Sequence, residues 1–175
     1  VAILYDHYTN ATAQRANGVD LSIRDTFSLT KGDLGVFANA TWLRVRQQTL
    51  PTQPERTLSG RIYYAPKFRA RGGVSWQSGG LSTAGFVNFL ASSLDTGVNP
   101  AAKIGSWMTF DATVSYRFTS QHWSLSGVKV LLSATNLLDQ MPPRTYSAAA
   151  TLPQVDLTNT SILGRYLSLT VSKAW

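Results

Sequence analysis

The sequence predicts an all-β fold: an antiparallel transmembrane β-barrel segment of about eight long strands. Three observations carry this prediction. Apolar and polar residues alternate with a period of two, the alternating segments are long, and the connections between them alternate between short and long.

The alternation is clearest between residues 107 and 118, where even-numbered positions are apolar and odd-numbered positions are mostly polar. Residues 68–76 and 167–171 repeat the pattern, and residues 19–29 repeat it with one exception, Asp25. Successive side chains of a strand point to opposite faces of its sheet. Each segment therefore predicts a strand with one apolar face and one polar face.

Eight segments are predicted as strands: residues 1–9, 17–29, 34–46, 66–78, 81–91, 106–118, 128–138 and 165–175. Strands of soluble proteins average about 5–6 residues, whereas a tilted strand that crosses a membrane needs about 9–11. Several of the predicted strands reach that length, which favours a bilayer over water.

The predicted connections fall into two groups that alternate along the chain. Short turns are predicted at Thr30–Asp33 and Ser78–Gly80, an intermediate connection at 119–127, and long polar links at 47–65, 92–105 and 139–164. Short turns on one rim and long loops on the other are typical of outer-membrane barrels.

Aromatic residues lie near both ends of the predicted strands. Those beside the short turns are Trp76, Phe118, Trp123 and Trp175, and those toward the other end are Trp42, Phe68 and Trp107. Two belts of this kind are typical of membrane interfaces. The alternative is that these side chains are ordinary core aromatics.

Composition excludes several classes of function. The chain has no cysteine, which excludes disulfides and thiol chemistry. Its net charge of +7 is spread along the chain without a basic block, so no nucleic-acid partner is predicted. His7 and His122 stand apart, and the nearby pair of His122 and Ser124 indicates a polar turn rather than a catalytic pair. No enzyme activity, metal site or cofactor is predicted.

Several short motifs occur in a defined order along the chain. Asn10 precedes Ala16–Leu21 (ANGVDL), Ala134–Asp139 reads ATNLLD, and Gly164–Val171 reads GRYLSLTV. In this order they resemble motifs of the TonB-dependent outer-membrane receptors. The end of the chain resembles the barrel-assembly signal of outer-membrane proteins, formed here by Leu167, Leu169, Val171 and Trp175, with Lys173 departing from the pattern.

The resemblance implies a barrel of about 22 strands around a plug domain, in the outer membrane of a Gram-negative bacterium. Residues 1–175 would be the C-terminal portion, without the plug and the earlier strands. Such receptors import scarce nutrients, namely iron chelates, cobalamin or sugars, with energy from TonB. The implied partners are outer-membrane lipid and lipopolysaccharide, the rest of the barrel and its plug, TonB through the missing N-terminal part, and a small nutrient ligand.

Two sets of site residues are predicted from position. Loop residues expected to contact a ligand are Asp95, Asn99, Arg144 and Tyr146, and lumen-facing residues are Arg24, Arg69, Arg71 and Arg117. The arginines, together with Arg44 and Arg46 at the long-loop rim, suit an anionic ligand or lipopolysaccharide phosphates. The interpretation we favour is that they form ion pairs with the plug or with neighbouring strands.

Two other interpretations remain open at this stage. One is a self-contained eight-stranded outer-membrane barrel with a structural or adhesive role. The other is a soluble β-sandwich that binds a ligand, in which the apolar faces would pack against each other.

Overall fold

The computed structural model describes residues 13–51, 53–119, 126–147 and 154–174. These residues form strands and loops, and none of the described residues belongs to a helix that could span a membrane. The predicted all-β fold is confirmed.

The strands run antiparallel and are numbered in chain order. They are β1 (Ala13–Leu29), β2 (Gly32–Gln48), β3 (Arg56–Thr57), β4 (Phe68–Ser78), β5 (Leu81–Leu90), β6 (Ser93–Asp95), β7 (Ala102–Ile104), β8 (Trp107–Arg117), β9 (Val128–Thr135) and β10 (Tyr166–Lys173). The long strands form one sheet in the order β1-β2-β4-β5-β8-β9-β10, with β3 added to β2, while β6 pairs with β7. Within the described residues β1 and β10 are the two edges, so the sheet is open.

Seven of the eight predicted strands correspond to these long strands, and the eighth, at 1–9, lies outside the described residues. The predicted end of 128–138 is wrong, because β9 stops at Thr135. Asn136 adopts a left-handed φ of 51°, and its amide group exchanges hydrogen bonds with the main chain of Gln140. The ATNLLD motif therefore ends a strand. The short strands β3, β6 and β7 were not predicted.

The predicted segregation of the connections is confirmed. The turns at 30–31 and 79–80 and the strand ends Arg117 and Val128 lie at one edge of the sheet, which we call the turn rim. The described parts of the long connections, at 49–51, 53–67, 91–106, 136–147 and 154–165, lie at the opposite edge, the loop rim. At the turn rim, Gly79 has a φ of +53°, a backbone conformation that would be strained for a residue with a side chain.

The register places the apolar positions of every long strand on one face of the sheet, the apolar face. Its paired rows include Val19–Trp42–Phe68, Leu34–Trp76–Thr83 and Val114–Leu132–Leu169. The opposite polar face carries most of the serine, threonine, asparagine and arginine positions. Arg15 and Asp25 are the charged residues on the apolar face of β1.

The sheet has no apolar core beneath it. Among the described residues, only four hydrophobic side chains are buried, compared with seven polar or charged ones. Val74 in the middle of the apolar face is 55% exposed and Leu169 is 68% exposed. A soluble sandwich would bury this face against a second sheet, whereas a membrane barrel turns it toward lipid. The distribution therefore favours the barrel.

The dimensions of the sheet fit a bilayer. Strands β4 and β8 have 11 residues each, which is about 36 Å at the usual rise per residue. Tilted by about 45°, they rise about 25 Å, the height of the apolar band of outer-membrane barrels.

Aromatic side chains flank this band. At the turn rim, the rings of Tyr116 and Phe118 meet edge to face at 4.9 Å, and at the loop rim Phe68 and Phe89 are 6.1 Å apart. The expectation for Trp107 was wrong. Its register with Leu90 and Arg69 puts it on the polar face, and its Nε1–H donates to the Gln140 carbonyl at 3.2 Å. Trp123 and Trp175 lie outside the described residues.

Gly73 permits close packing between two aromatic rings on the polar face. A Cβ atom there would lie 2.7 Å from the rings of Phe37 and Phe86 and 2.8 Å from the Gly85 carbonyl oxygen. Gly73→Ala is therefore expected to destabilise the sheet by about 1–3 kcal/mol through overpacking. Gly85→Ala, whose Cβ would meet nothing within 4 Å, is the control. Urea unfolding of both variants in lipid vesicles checks this, and equal midpoints would contradict it.

Candidate ligand-binding site

Two rows of the polar face form a cavity next to the loop rim. One row pairs Asn39, Arg71, Asn88 and Thr109 across four strands, and the next pairs Thr41, Arg69, Leu90 and Trp107. With Asn159 from the last long loop, these residues line a cavity of about 380 Å³. It offers guanidinium groups, side-chain amides and an indole ring to one occupant.

Arg71 is held in place by its neighbours on the sheet. Its guanidinium lies 4.9 Å from the centroid of the Phe86 ring and 3.9 Å from an oxygen of Asp111. The side chain is still 51% exposed, so donors remain for a ligand. Arg69 forms no ion pair with any described residue. The cavity therefore keeps positive charge.

Asp111 connects the floor of the cavity to the end of β9. One of its oxygens accepts a hydrogen bond from the Asn88 amide at 2.8 Å, and the other accepts from the Asn136 N–H at 2.9 Å. Asn88 also donates to the Thr109 hydroxyl at 3.2 Å. This network fixes the amide of Asn88 on the cavity wall.

The four predicted lumen-facing arginines share the polar face but not one site. Arg69 and Arg71 line the cavity. Arg24 pairs with Phe37 on the strand at the edge of the sheet, and Arg117 lies at the turn rim opposite Lys129. The structure therefore brings two of the four together.

Asp95 has a different setting from that expected of a ligand contact. Its side chain is fully buried. One oxygen accepts from the N–H of Gly97 at 3.0 Å, and the other accepts from the N–H groups of Tyr146 and Ser147 at 2.8 Å each. It ties the second long loop to the third, and a ligand could reach it only if these loops parted.

The hydrogen bonds also set the ionisation of Asp95. Burial by itself would raise the pKa of this carboxyl. The hydrogen bonds from the Ser147 side chain and from three main-chain N–H groups outweigh burial and lower the pKa below its ordinary value. The carboxylate is therefore charged at neutral pH.

The other predicted loop residues lie on the surface. Asn99 and Arg144 are exposed, and Tyr146 is 61% exposed. Arg144 pairs with Val155 in an isolated antiparallel bridge. These residues belong to the loop rim but do not line the cavity, so their contact with a ligand stays a prediction.

Sequence reasoning missed Asp156, a second buried acid of the loop rim. It accepts from the Tyr63 N–H at 3.2 Å and from the Asn159 amide at 2.7 Å. Asn159 in turn donates to the Tyr64 carbonyl at 2.9 Å. Asp156 thus joins the first long loop to the third and positions Asn159 at the cavity. The sequence offered one indication of this role. An aspartate side chain in a loop often accepts a hydrogen bond from the main-chain N–H two residues later, here that of Thr158.

The residues of the proposed assembly signal lie in β10. Leu167, Leu169 and Val171 occupy its apolar face and pair with Ala134, Leu132 and Val130. Trp175 lies outside the described residues. No group of three His, Cys, Asp or Glu side chains in the described part of the chain is arranged to hold a metal ion.

The open antiparallel sheet, its exposed apolar band and its polar cavity define a segment of an outer-membrane β-barrel. The family model described as TonB dependent receptor-like, beta-barrel matches residues 4–137, more than half of the chain. The chain belongs to the TonB-dependent receptor β-barrel family. No curated protein and no solved structure matches it. The family consists of outer-membrane receptors and transporters of Gram-negative bacteria rather than enzymes.

Proposed function

We propose that this chain is part of an active transporter that binds a scarce, anionic nutrient at the polar-face cavity and imports it with energy supplied through TonB. The observation that carries the proposal is the pair Arg69 and Arg71 in a cavity at the loop rim. In a barrel, this face lines the lumen and this rim carries the recognition loops.

The side chains of the cavity favour an anion over a neutral nutrient. Among the described residues, Arg69 has no acidic partner, and Arg71 has one, Asp111. Guanidinium groups bind carboxylate and phosphate oxygens through paired hydrogen bonds. An iron chelate with carboxylate groups fits this chemistry better than cobalamin or a neutral sugar, although Trp107 could also stack on a sugar ring.

Removing the two charges is expected to weaken ligand binding. We expect Arg69→Gln combined with Arg71→Gln to reduce binding of ferric citrate by the native polypeptide at least about tenfold, a loss of about 1.4 kcal/mol. The control is Arg117→Gln, which removes a charge from the same face at the other rim. Isothermal titration in detergent, with cobalamin and a neutral oligosaccharide alongside, measures the affinities.

Three outcomes would contradict the anionic ligand. They are unchanged ferric citrate binding in the double variant, an equal loss in Arg117→Gln, and tight binding of the neutral oligosaccharide that the double variant keeps.

We also propose that residues 1–175 are the C-terminal portion of a longer barrel that encloses a plug. Within the described residues β1 and β10 have no partner on their outer edges, which supports this, because a stable barrel leaves no open strand edge in lipid. The test is the intact mass of the native polypeptide extracted from the outer membrane in mild detergent. A chain several times longer is expected, whereas a mature chain of this length would favour the self-contained barrel.

A further inference from the structure

Two asparagine side chains of the polar-face cavity are fixed in a defined orientation. Asn88 and Asn159 both line this cavity. A side-chain amide offers two donors through its nitrogen and an acceptor through its oxygen. The end that each asparagine presents to an occupant follows from its hydrogen bonds within the protein.

Asn88 presents its carbonyl oxygen to the cavity. Its Nδ2 donates to a carboxylate oxygen of Asp111 at 2.8 Å and to the Thr109 hydroxyl at 3.2 Å. Because a carboxylate can only accept, the NH₂ end of the amide must face Asp111, and both of its protons are used. No described residue donates to the Oδ1 of Asn88, which is left as an acceptor for an occupant.

Asn159 is oriented in the same way from the loop side. Its Nδ2 donates to the Tyr64 carbonyl at 2.9 Å and to the Asp156 carboxylate at 2.7 Å. Both partners can only accept, so the NH₂ end is again fixed and both of its protons are used. The Oδ1 of Asn159 is the polar atom of this side chain that remains for an occupant. The cavity therefore has acceptors on two elements, β5 and the third long loop.

These acceptors lie beside the cationic donors of the cavity. Arg71 pairs with Asn88 across the sheet, and the Cβ atoms of such a pair are about 4.5–5.5 Å apart. None of the described residues that line the cavity is acidic. An occupant that satisfies both kinds of group needs anionic oxygens for the arginines and protons to donate to the asparagines. A cationic amine is disfavoured as the donor beside two guanidinium groups, so hydroxyl groups fit best.

Trp107 adds a flat apolar wall to the cavity. Its Nε1–H is used by the Gln140 carbonyl at 3.2 Å, so the ring itself is what it offers to an occupant. The C–H face of a pyranose ring can cover such a surface. The cavity volume of about 380 Å³ lies at the small end of the usual range for ligand pockets, about 300–1,000 Å³. It suits a small saccharide.

We propose that Asn88 and Asn159 are specificity-determining residues, which select an anion with free hydroxyl groups, and that the ligand is an acidic sugar of the uronate class. Its carboxylate binds Arg69 and Arg71, its hydroxyl groups donate to the two asparagine oxygens, and its ring lies on Trp107. A metal chelate whose oxygens all coordinate the metal has no such protons to donate. The inference rests on the proposed function, since it requires that the two arginines bind a carboxylate.

The test compares three small ligands by isothermal titration of the native polypeptide in detergent. Methyl galacturonoside has the ring, the hydroxyl groups and the carboxylate. Tetrahydropyran-2-carboxylate keeps the ring and the carboxylate without hydroxyl groups, and methyl galactoside keeps the hydroxyl groups without the carboxylate. The variants are Asn88→Ala and Asn159→Ala. The control is Gln77→Ala, which removes an exposed amide from the same face at the turn rim.

We expect the native protein to bind methyl galacturonoside at least about tenfold more tightly than either of the other ligands. Each asparagine variant should bind methyl galacturonoside about three- to tenfold more weakly, the usual effect of one lost hydrogen bond. Each should keep its affinity for tetrahydropyran-2-carboxylate, because that ligand has no hydroxyl group for the asparagines. Gln77→Ala should bind all three ligands as the native protein does.

Three results would overturn the inference. They are equal affinity of the native protein for the two carboxylates, unchanged methyl galacturonoside binding in both asparagine variants, and an equal loss of both carboxylates in these variants. The last result is what a defect of folding or of the loops would give.

The variant with Arg69→Gln and Arg71→Gln is measured with the same ligands, so that the two proposals can fail separately. If it keeps its affinity for both carboxylates, the proposed anionic site itself fails. If it loses both carboxylates while the asparagine variants do not distinguish them, the proposed function stands and this inference alone fails.

Discussion

Val74→Arg is expected to destabilise the barrel by about 2–4 kcal/mol, the cost of an arginine on the lipid face near the bilayer midplane. Val74 lies in the middle of β4, between Val36 and Gly85 on the apolar face. The long side chain could reach water only by bending along the sheet, and the polar groups there face the other side.

The matched control is Ser75→Arg, one residue further along the same strand. Ser75 faces the polar side, between Gly35 and Ala84, whose small side chains leave room. We expect its effect to be below about 1 kcal/mol, because the guanidinium would enter a hydrated lumen. Urea unfolding in lipid vesicles measures both. Equal destabilisation, or a larger effect at Ser75, would contradict the assignment of the two faces.

Asp95→Ala is expected to separate the second and third long loops. The substitution removes the acceptor of three part-buried main-chain N–H groups and leaves those donors without this partner. A loss of about 2–4 kcal/mol of loop stability follows from the usual cost of such groups. The sheet itself should stay intact, since Asp95 contacts loops and not the long strands. Amide hydrogen exchange at Gly97, Tyr146 and Ser147 reports the separation directly.

Two substitutions calibrate this result. Asp95→Asn keeps one acceptor oxygen and should give an intermediate increase in exchange. Asn99→Ala, in the same loop at an exposed position, should leave exchange unchanged. Exchange that stays slow in Asp95→Ala would show that the carboxylate does not hold the loops.

The anchor should also depend on pH in a defined direction. The pKa of Asp95 is lowered in the folded protein, so its contribution is fully present above the unfolded value of about 3.9. It is lost as pH falls through the lower folded pKa. Loop exchange relative to the intrinsic rate should therefore be constant at neutral pH and rise only in strong acid, a rise that Asp95→Ala should lack.

The sheet could be predicted from the sequence because the residues that define each strand are adjacent in the chain. Strands β1, β4, β8 and β10 carry a clear period-two pattern, and a pattern of this kind fixes both the faces and the register. The prediction for Trp107 was wrong because this residue was assigned by its nearness to a strand end and not by its parity. Its odd-numbered position placed it among Thr109 and Asp111, and that parity gave the correct face.

The loop rim could not be predicted because its contacts join distant parts of the chain. Asp156 and Tyr63 are 93 residues apart, and Asp95 and Tyr146 are 51 apart. Nothing in the local sequence marks these residues as partners. Asp95 was predicted as a ligand contact because it lies in a loop. Only the structure shows that it is buried and that its oxygens accept hydrogen bonds from main-chain N–H groups. The cavity depends on one of these contacts, because Asp156 holds Asn159 at its wall.

The most direct test of the central claim, that the apolar face meets lipid and the polar face lines the lumen, uses consecutive positions of β8. Residues 1–175 contain no cysteine, so single cysteines at Ala112, Thr113, Val114 and Ser115 can carry a fluorophore in the native polypeptide, with any cysteine outside this range replaced by serine, reconstituted into vesicles. A spin-labelled lipid should quench the label at 112 and 114, and a water-soluble quencher should act at 113 and 115. Quenching by the lipid at the odd positions, or at none of the four, would contradict the account.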